Sequence, residues 1–206
     1  MGGVKKPVPA IIGELEQDPQ FHQPDYRSES KPMNQSQMDK VVVWLAQGFG
    51  VGRIPVAPGT FGSVVGLLWF LLLLASGSLW VFAAGMVFSI PLSIWVCGEA
   101  EKILRQQDPG SVVMDEIIAI PICFLGWVLA LYSASGKLPA PAYFLSAQMW
   151  PWTLAVFVAF RFFDVLKPWP VKQSQALPGG WGVTIDDVLA AGYVNLAVFA
   201  VALIKG

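Results

Sequence analysis

Five apolar runs, separated by short polar stretches, constrain the fold of this chain more than any other feature. They cover residues 61–75, 79–97 and 117–132, a stretch with Trp150-Pro151-Trp152 that ends at Phe163, and residues 188–204. A helix that spans a bilayer needs about 20 predominantly apolar residues, with a range near 17–25. Tryptophan and tyrosine lie near several run ends, as in an interfacial belt. The pattern predicts an all-α, polytopic membrane helix bundle with about five apolar helices.

The composition favours a membrane protein over a soluble one. Hydrophobic residues make up 55% of the 206 residues and charged residues 13%, whereas soluble domains carry roughly a quarter charged residues. A soluble all-α protein with helices buried all round is the alternative, and the shorter runs are compatible with it. The net charge of -1 provides no basic surface for nucleic acid, so we expect no nucleic-acid partner.

The first 40 residues differ in composition from the rest of the chain. They contain five of the 13 basic residues, six of the 14 acidic residues and five prolines, with few large apolar side chains. Such a segment cannot bury enough apolar surface to offset the entropy lost on ordering. We therefore predict a disordered polar tail over residues 1–40 and a membrane-embedded domain over residues 41–206.

Lys and Arg are distributed unevenly between the two sides of the predicted bundle. Cytoplasmic loops of membrane proteins carry an excess of these residues. One predicted side has only Lys137 and Lys205, and the other side carries Lys40, Arg53, Lys102, Arg105, Lys167 and Lys172, with Arg161 close by. The tail and the basic loops are therefore expected in the cytoplasm.

Most of the unusual polar residues fall on this predicted cytoplasmic side, in residues 53–63, 110–116, 160–170 and 179–187. Ionisable groups at the edge of an apolar helix usually face the bundle interior. Carboxylates from three segments at one depth repel one another unless a divalent cation lies between them. Oxygen ligands without His or Cys favour a hard ion such as Mg²⁺. The candidate carboxylates are Asp115, Glu116, Asp164, Asp186 and Asp187.

Each acidic segment also has a purely structural explanation. Thr184 and Asp187 have the spacing of a capping box, in which their side chains would cap the N-terminus of a helix. Asp115 and Glu116 fit solvated residues at a helix N-terminus, where the dipole favours negative charge. The sequence leaves both explanations open beside the metal-binding one.

The remaining candidates would bind an anion. Gly59, Thr60, Gly62 and Ser63 form a turn before an apolar run, where glycines let the backbone approach a phosphate at a helix N-terminus. The alternative is helix capping by Thr60 or Ser63. Residues 161, 164 and 167 share one helix face about 120° wide, and Arg161 with Asp164 also fits an ordinary ion pair. Together these groups are of the types that metal-assisted phosphoryl transfer uses.

Several motifs occur together in an order that resembles the phosphatidylglycerophosphatase A family, from about Val43 to the last run. Where that family tends to have glycine, histidine and glycine, this chain has Ala119, Pro178 and Ala191, changes that affect packing more than ligands. The motifs are Gly48-Phe49-Gly50, Pro58-Gly59-Thr60-Phe61-Gly62-Ser63, Gly110-Ser111-Val112-Val113-Met114-Asp115-Glu116, Phe160-Arg161, Asp164, Lys167-Pro168-Trp169-Pro170, Gly179-Gly180 and Asp186-Asp187.

The resemblance implies a Mg²⁺-dependent lipid phosphatase of the bacterial inner membrane, with several spans and a site that faces the cytoplasm. Its expected reaction converts phosphatidylglycerophosphate to phosphatidylglycerol and phosphate. On this hypothesis the five candidate carboxylates are catalytic, and the turn at residues 59–63 with Arg161 and Lys167 binds substrate. The expected Mg²⁺ ligands are Asp115, Glu116, Asp164 and Asp187.

An ion-coupled membrane carrier that uses the same carboxylates is the alternative function, because intramembrane carboxylates also mark ion pathways. The sequence has no repeated half, and Pro151 is the only residue that indicates a helix broken at midspan. The charges also cluster at one face and do not follow a path across the membrane. These observations favour the enzyme.

Overall fold

The computed structural model of this chain describes residues 33–205. The chain divides into two units, Met1–Ser36 and Gln37–Gly206, and the fold described below is that of the second. Helix α1 spans Met33–Ala46, so residues 33–40 of the predicted tail are helical. The rest of that tail lies outside the described residues.

The described residues are all-α, as the sequence predicts, with no strand between residues 33 and 205. A short 3-10 helix, Val51–Arg53, follows α1. The other helices are α2 (Pro58–Ala75), α3 (Leu79–Leu104), α4 (Met114–Cys123), α5 (Leu125–Ser135), α6 (Pro141–Leu145), α7 (Trp150–Leu166), α8 (Val171–Ser174) and α9 (Gly180–Lys205).

Four segments of the described chain are long and apolar enough to cross a membrane: Pro58–Ala75, Leu79–Leu104, Met114–Ser135 and Gly180–Val201. The fourth predicted run, which ends at Phe163, corresponds to α7, whose 17 residues lie at the lower end of the spanning range. The prediction of a membrane bundle with about five apolar helices is therefore confirmed.

The third apolar run is broken in its middle, a break that its continuous apolar pattern does not predict. Helix α4 contains Pro121 and ends at Cys123, and α5 begins at Leu125. Asn195 of α9 satisfies the backbone groups at this break, because its Nδ2 donates to the carbonyl of Ile122 at 2.7 Å and its Oδ1 accepts from the amide of Gly126 at 2.8 Å. Pro151, the residue expected to break a helix, instead lies in the first turn of α7, where proline is tolerated.

Both capping explanations are wrong because the helices begin earlier than the motifs indicate. Helix α2 begins at Pro58, and the Ser63 hydroxyl lies inside it and donates to the carbonyl of Gly59 at 2.8 Å. Helix α9 begins at Gly180, so Thr184 lies in its second turn. The Thr184 hydroxyl pairs with that of Ser93 on α3 at 3.0 Å, which joins the two helices.

Helix α4 lies at the centre of the bundle and packs against α2, α3, α7 and α9. Small residues allow this close packing. A Cβ atom on Gly66 of α2 would lie 2.8 Å from the carbonyl oxygen of Ile117 and 2.9 Å from the Cβ of Ile120. Such distances require the backbone of α4 to move, so Gly66 sets the separation between α2 and α4.

We expect Gly66→Ala to lower the thermal midpoint in detergent, because overpacking destabilises by about 1–3 kcal/mol. Gly192→Ala is the matched control: no atom lies within 4 Å of a Cβ placed there, so the higher helix propensity of alanine should leave the midpoint unchanged or raise it. Thermal unfolding of both variants beside the parent protein measures the difference. Equal midpoints for the two variants would contradict the packing argument.

Candidate active site

The structure brings the predicted acidic and basic residues together at one end of the bundle. Asp115 and Glu116 occupy the first turn of α4, where the helix dipole favours negative charge. Arg161 and Asp164 come from the last turns of α7, and Lys167 follows its end. Asp186 and Asp187 come from the second turn of α9. Three segments far apart in sequence thus meet because α4, α7 and α9 pack with these ends together.

Three of the carboxylates form a compact group, which we call the acidic cluster: Asp115, Glu116 and Asp187. One carboxylate oxygen from each lies within 4.8 Å of the others. Asp115 is 8% exposed and Asp187 is 3% exposed. Each member has a buried oxygen without a hydrogen-bond partner: Oδ1 of Asp115, Oε2 of Glu116 and Oδ2 of Asp187.

Buried carboxylate oxygens without partners are unfavourable unless a cation compensates them. The acidic cluster supplies oxygen donors alone, and Mg²⁺ prefers such ligands. A divalent cation therefore fits these residues. Asp164, the fourth predicted ligand, lies outside the cluster, and its assignment as a ligand stays a prediction.

Two cations neutralise part of the remaining charge. The Nη1 atom of Arg161 lies 2.8 Å from Oδ2 of Asp164 and 3.6 Å from Oε1 of Glu116, although this buried nitrogen makes no hydrogen bond of good geometry. The ammonium of Lys167 donates to Oδ2 of Asp186 at 2.5 Å and lies 3.9 Å from Oδ1 of Asp164. Five carboxylates against two cations leave a formal excess of three negative charges.

Lys167 is held in position by the end of α7. Its φ of 45° is left-handed, and Pro168 follows, so the helix cannot continue. Burial alone lowers the pKa of the Lys167 ammonium, but the hydrogen bond to Asp186 and the charges of Asp186 and Asp164 outweigh it and raise the pKa above its ordinary value. Lys167 therefore remains a cation at neutral pH.

The predicted anion-binding turn has one member in contact with the charged residues. A Cβ atom on Gly59 would lie 2.2 Å from Oε1 of Glu116 and 3.0 Å from both terminal nitrogens of Arg161. A side chain at this position would displace the carboxylate of Glu116. Gly62 packs instead against Val113. A Cβ atom on Gly62 would lie 2.7 Å from the Cβ of Val113. Thr60 lies partly exposed in the first turn of α2, and Ser63 is buried inside the helix.

A cavity of 250 Å³ lies among the charged groups, and we call it the acidic cavity. Arg161 is not part of its wall and contacts Glu116 and Asp164 from beside the turn at Gly59. The charged side chains in the cavity wall are therefore carboxylates and a single ammonium, that of Lys167. Its wall comprises Asp108, Gly110, Val112, Asp115, Glu116, Asp164, Val165, Lys167, Asp186 and Asp187.

Sequence reasoning missed Tyr193, which supports the loop that carries Lys167. The Tyr193 hydroxyl donates to the carbonyl of Trp169, and its ring stacks on Phe163 with centroids 5.3 Å apart. Asn195 was missed as well. Both are polar side chains inside an apolar run, and this position was the one indication that the sequence offered of their roles. Their hydrogen-bond partners lie far away in sequence, so the sequence could not identify them.

The fold and the site define a helical membrane protein with a carboxylate-rich site at one end of its bundle. The family model described as phosphatidylglycerophosphatase A matches residues 44–202, and the chain belongs to this family. The resemblance drawn from the motifs is thus confirmed.

Two curated relatives carry the same family name. The phosphatidylglycerophosphatase A of Haemophilus influenzae is 34% identical over 175 residues, which are 84% of this chain and 96% of that protein. The phosphatidylglycerophosphatase A of Escherichia coli K12 is 31% identical over 148 residues, which are 71% of this chain and 74% of that protein. No solved structure matches the chain.

We expect saturating Mg²⁺ to raise the thermal midpoint by roughly 5–10 °C, the effect of a ligand at about a hundred times its Kd on a domain of this size. Asp187→Asn should abolish the rise, because it removes one carboxylate of the acidic cluster. It should not lower the midpoint without Mg²⁺, since it also relieves repulsion. Glu99→Gln, at the exposed pair with Lys102, is the control and should respond like the parent. An equal response in Asp187→Asn would exclude the acidic cluster as the binding site.

Proposed function

We propose that this protein hydrolyses the terminal phosphomonoester of phosphatidylglycerophosphate, in a Mg²⁺-dependent reaction that yields phosphatidylglycerol and inorganic phosphate. The observation that carries the proposal is the acidic cluster, three buried carboxylates with unpartnered oxygens, in a cavity that also contains Lys167. Family membership and the names of the two relatives support the same reaction.

Asp115, Glu116 and Asp187 are the residues that would hold Mg²⁺. When bound, the ion supplies positive charge that offsets the carboxylates and the phosphate oxygens. Without this charge the excess of carboxylates would repel a phosphomonoester. The acidic cavity therefore suits its substrate only when a cation is present, which is why we propose that the activity depends on Mg²⁺.

Lys167 is the residue best placed to bind the phosphate directly, because it lines the acidic cavity and stays protonated. Its contact with Asp186 positions the ammonium at the cavity wall. Arg161, whose Nη1 forms ion pairs with Asp164 and Glu116, would contribute its positive charge from the side of Gly59. The two cations would act differently, Lys as a point charge and Arg as a planar fork.

The reaction needs an acceptor for the proton of the attacking water. One P–O bond forms to the water oxygen, the P–O bond to the alcohol breaks, and the proton passes to the departing alkoxide. Asp164 lines the cavity outside the acidic cluster, so it is the carboxylate that we propose as the proton carrier. Attack by an aspartate that forms a phosphoenzyme is the second route, and it leaves the other roles unchanged.

We place the site end of the bundle at the cytoplasmic face of the bacterial inner membrane. This end contains Lys102 in the last turn of α3, Arg105 directly after it and Lys172 in the short helix α8, whereas Lys137 lies at the opposite end beyond α5. An excess of Lys and Arg is typical of cytoplasmic loops. A lipid made on the cytoplasmic side would meet the site without crossing the bilayer.

The carrier alternative would make use of the break between α4 and α5, because broken helices supply backbone ligands for ions. In this chain Asn195 already occupies the carbonyl of Ile122 and the amide of Gly126. The five candidate carboxylates also cluster at one end of the bundle. The structure therefore offers no observation that favours a carrier over an enzyme.

We expect Asp115→Asn and Asp164→Asn each to lower phosphate release from phosphatidylglycerophosphate roughly 100-fold or more, as is usual when a catalytic group is removed. Purified protein in mixed micelles with Mg²⁺ provides the assay. EDTA should abolish the parent activity, and Glu99→Gln should retain it. Normal rates in both variants would refute the proposed site.

Cysteine labelling tests the proposed orientation of the bundle in the membrane. Cys97 and Cys123 are buried, so they should not react with a membrane-impermeant maleimide. We expect Lys137→Cys to react in spheroplasts and Lys172→Cys to react only after lysis. The opposite pattern would place the site outside the cytoplasm.

A further inference from the structure

The wall of the acidic cavity reaches the surface of the bundle at two places. Asp108 and Gly110 are exposed in the loop between α3 and α4, and we call this place the loop opening. Val165, near the end of α7, also lines the cavity and is 76% exposed. The other apolar side chain of the described wall, Val112, is buried. The cavity therefore has a second, apolar edge at Val165, which we call the lateral opening.

An exposed apolar face of α7 leads from the lateral opening toward the middle of the bundle. Val158, Phe162 and Val165 follow one another at steps of four and three residues, so they lie on one face of the helix. Each of the three is more than half exposed. They extend about 10 Å along the helix axis, away from the site end. Apolar side chains on the outside of a membrane bundle contact lipid tails, so the cavity wall borders lipid at Val165.

Trp169 indicates the depth of the lateral opening in the membrane. It lies in the loop after α7, its side chain is exposed, and its carbonyl accepts the hydrogen bond from the Tyr193 hydroxyl. Exposed tryptophans of membrane proteins are enriched at the level of the lipid head groups. Val165 precedes Trp169 by only four residues. The lateral opening therefore lies close to the depth of the lipid phosphates.

A competing apolar route, between α7 and α9, is closed near the site. An apolar cavity of 410 Å³ lies between these helices, and its wall includes Ala159 and Val194. One turn closer to Lys167, the ring of Phe163 stacks on the ring of Tyr193, with centroids 5.3 Å apart. The two rings bridge α7 and α9 between the apolar cavity and Lys167. An alcohol joined to a phosphate in the acidic cavity could not pass this way without separating them.

We propose that the lipid substrate enters the acidic cavity sideways from the bilayer, through the lateral opening at Val165. This inference rests on the proposed function. The phosphomonoester reaches the acidic cluster, while the acyl chains remain outside the bundle against the exposed face of α7. Water and inorganic phosphate pass through the loop opening at Asp108 and Gly110. The lipid is thus hydrolysed without leaving the membrane, and Val165 is the side chain that its acyl-bearing alcohol passes.

A bulky label at the lateral opening tests this route. We expect labelling of Val165→Cys with a bulky maleimide to raise the KM for phosphatidylglycerophosphate about tenfold or more over the unlabelled variant. The Ki of inorganic phosphate as a competitor should stay unchanged, because phosphate uses the loop opening. Leu166→Cys is the matched control, since Leu166 is the next residue, is exposed and does not line the cavity. Labelling there should change neither constant. The native cysteines Cys97 and Cys123 are buried and should not react.

Val165→Trp provides a second variant that needs no reagent, and the same rise in KM is expected relative to Leu166→Trp. A parallel rise of KM and Ki in both Val165 variants would overturn the inference, because it would indicate a disturbance of the whole site. Unchanged KM values in both would overturn it as well. A rise in KM on labelling Ala159→Cys, with none at Val165, would assign the route to the apolar cavity between α7 and α9 instead. A parent protein that releases no phosphate from the lipid would refute the proposed function itself.

Discussion

Mutual repulsion among buried carboxylates is the constraint on which the rest of this structure depends. Five carboxylates share one end of the bundle with Arg161 and Lys167, and three of them leave buried oxygens without partners. In an apolar surrounding each uncompensated charge is far more costly than in water. The arrangement is understandable if a divalent cation completes it, and the same cation would attract a phosphomonoester. On the proposed function, stability and activity would then depend on one electrostatic balance.

The packing of the bundle brings these charges together and keeps them there. Gly66 and Gly59 let α2 approach α4 and the charged groups closely, because a side chain at either position would collide with neighbouring atoms. Asn195 compensates the break between α4 and α5 with two hydrogen bonds. Tyr193 ties the loop after Lys167 to α9. Gly66, Asn195 and Tyr193 are not candidates for chemistry, yet they stabilise the helices and the loop that carry the charged groups.

Much of the site could be predicted from the sequence because ionisable groups are rare in so apolar a chain. Asp115, Glu116, Asp164, Asp186 and Asp187 stood out for this reason, and the structure gathers all of them. The capping interpretations failed because local spacing does not reveal where a helix begins: α9 starts at Gly180, so Thr184 bonds Ser93 and does not cap. The role of Gly59 could not be predicted either, since its neighbours Glu116 and Arg161 come from other helices.

The sequence by itself determined that this chain forms apolar helices and that most of its few remaining charges gather at one end. Both follow from hydropathy and from the expense of burying charge, which act on each segment separately. The tertiary structure decided which carboxylates form a cluster and which cations neutralise which acids. These properties depend on distances between α3, α4, α7 and α9, and such distances are set by packing between segments that are remote in sequence.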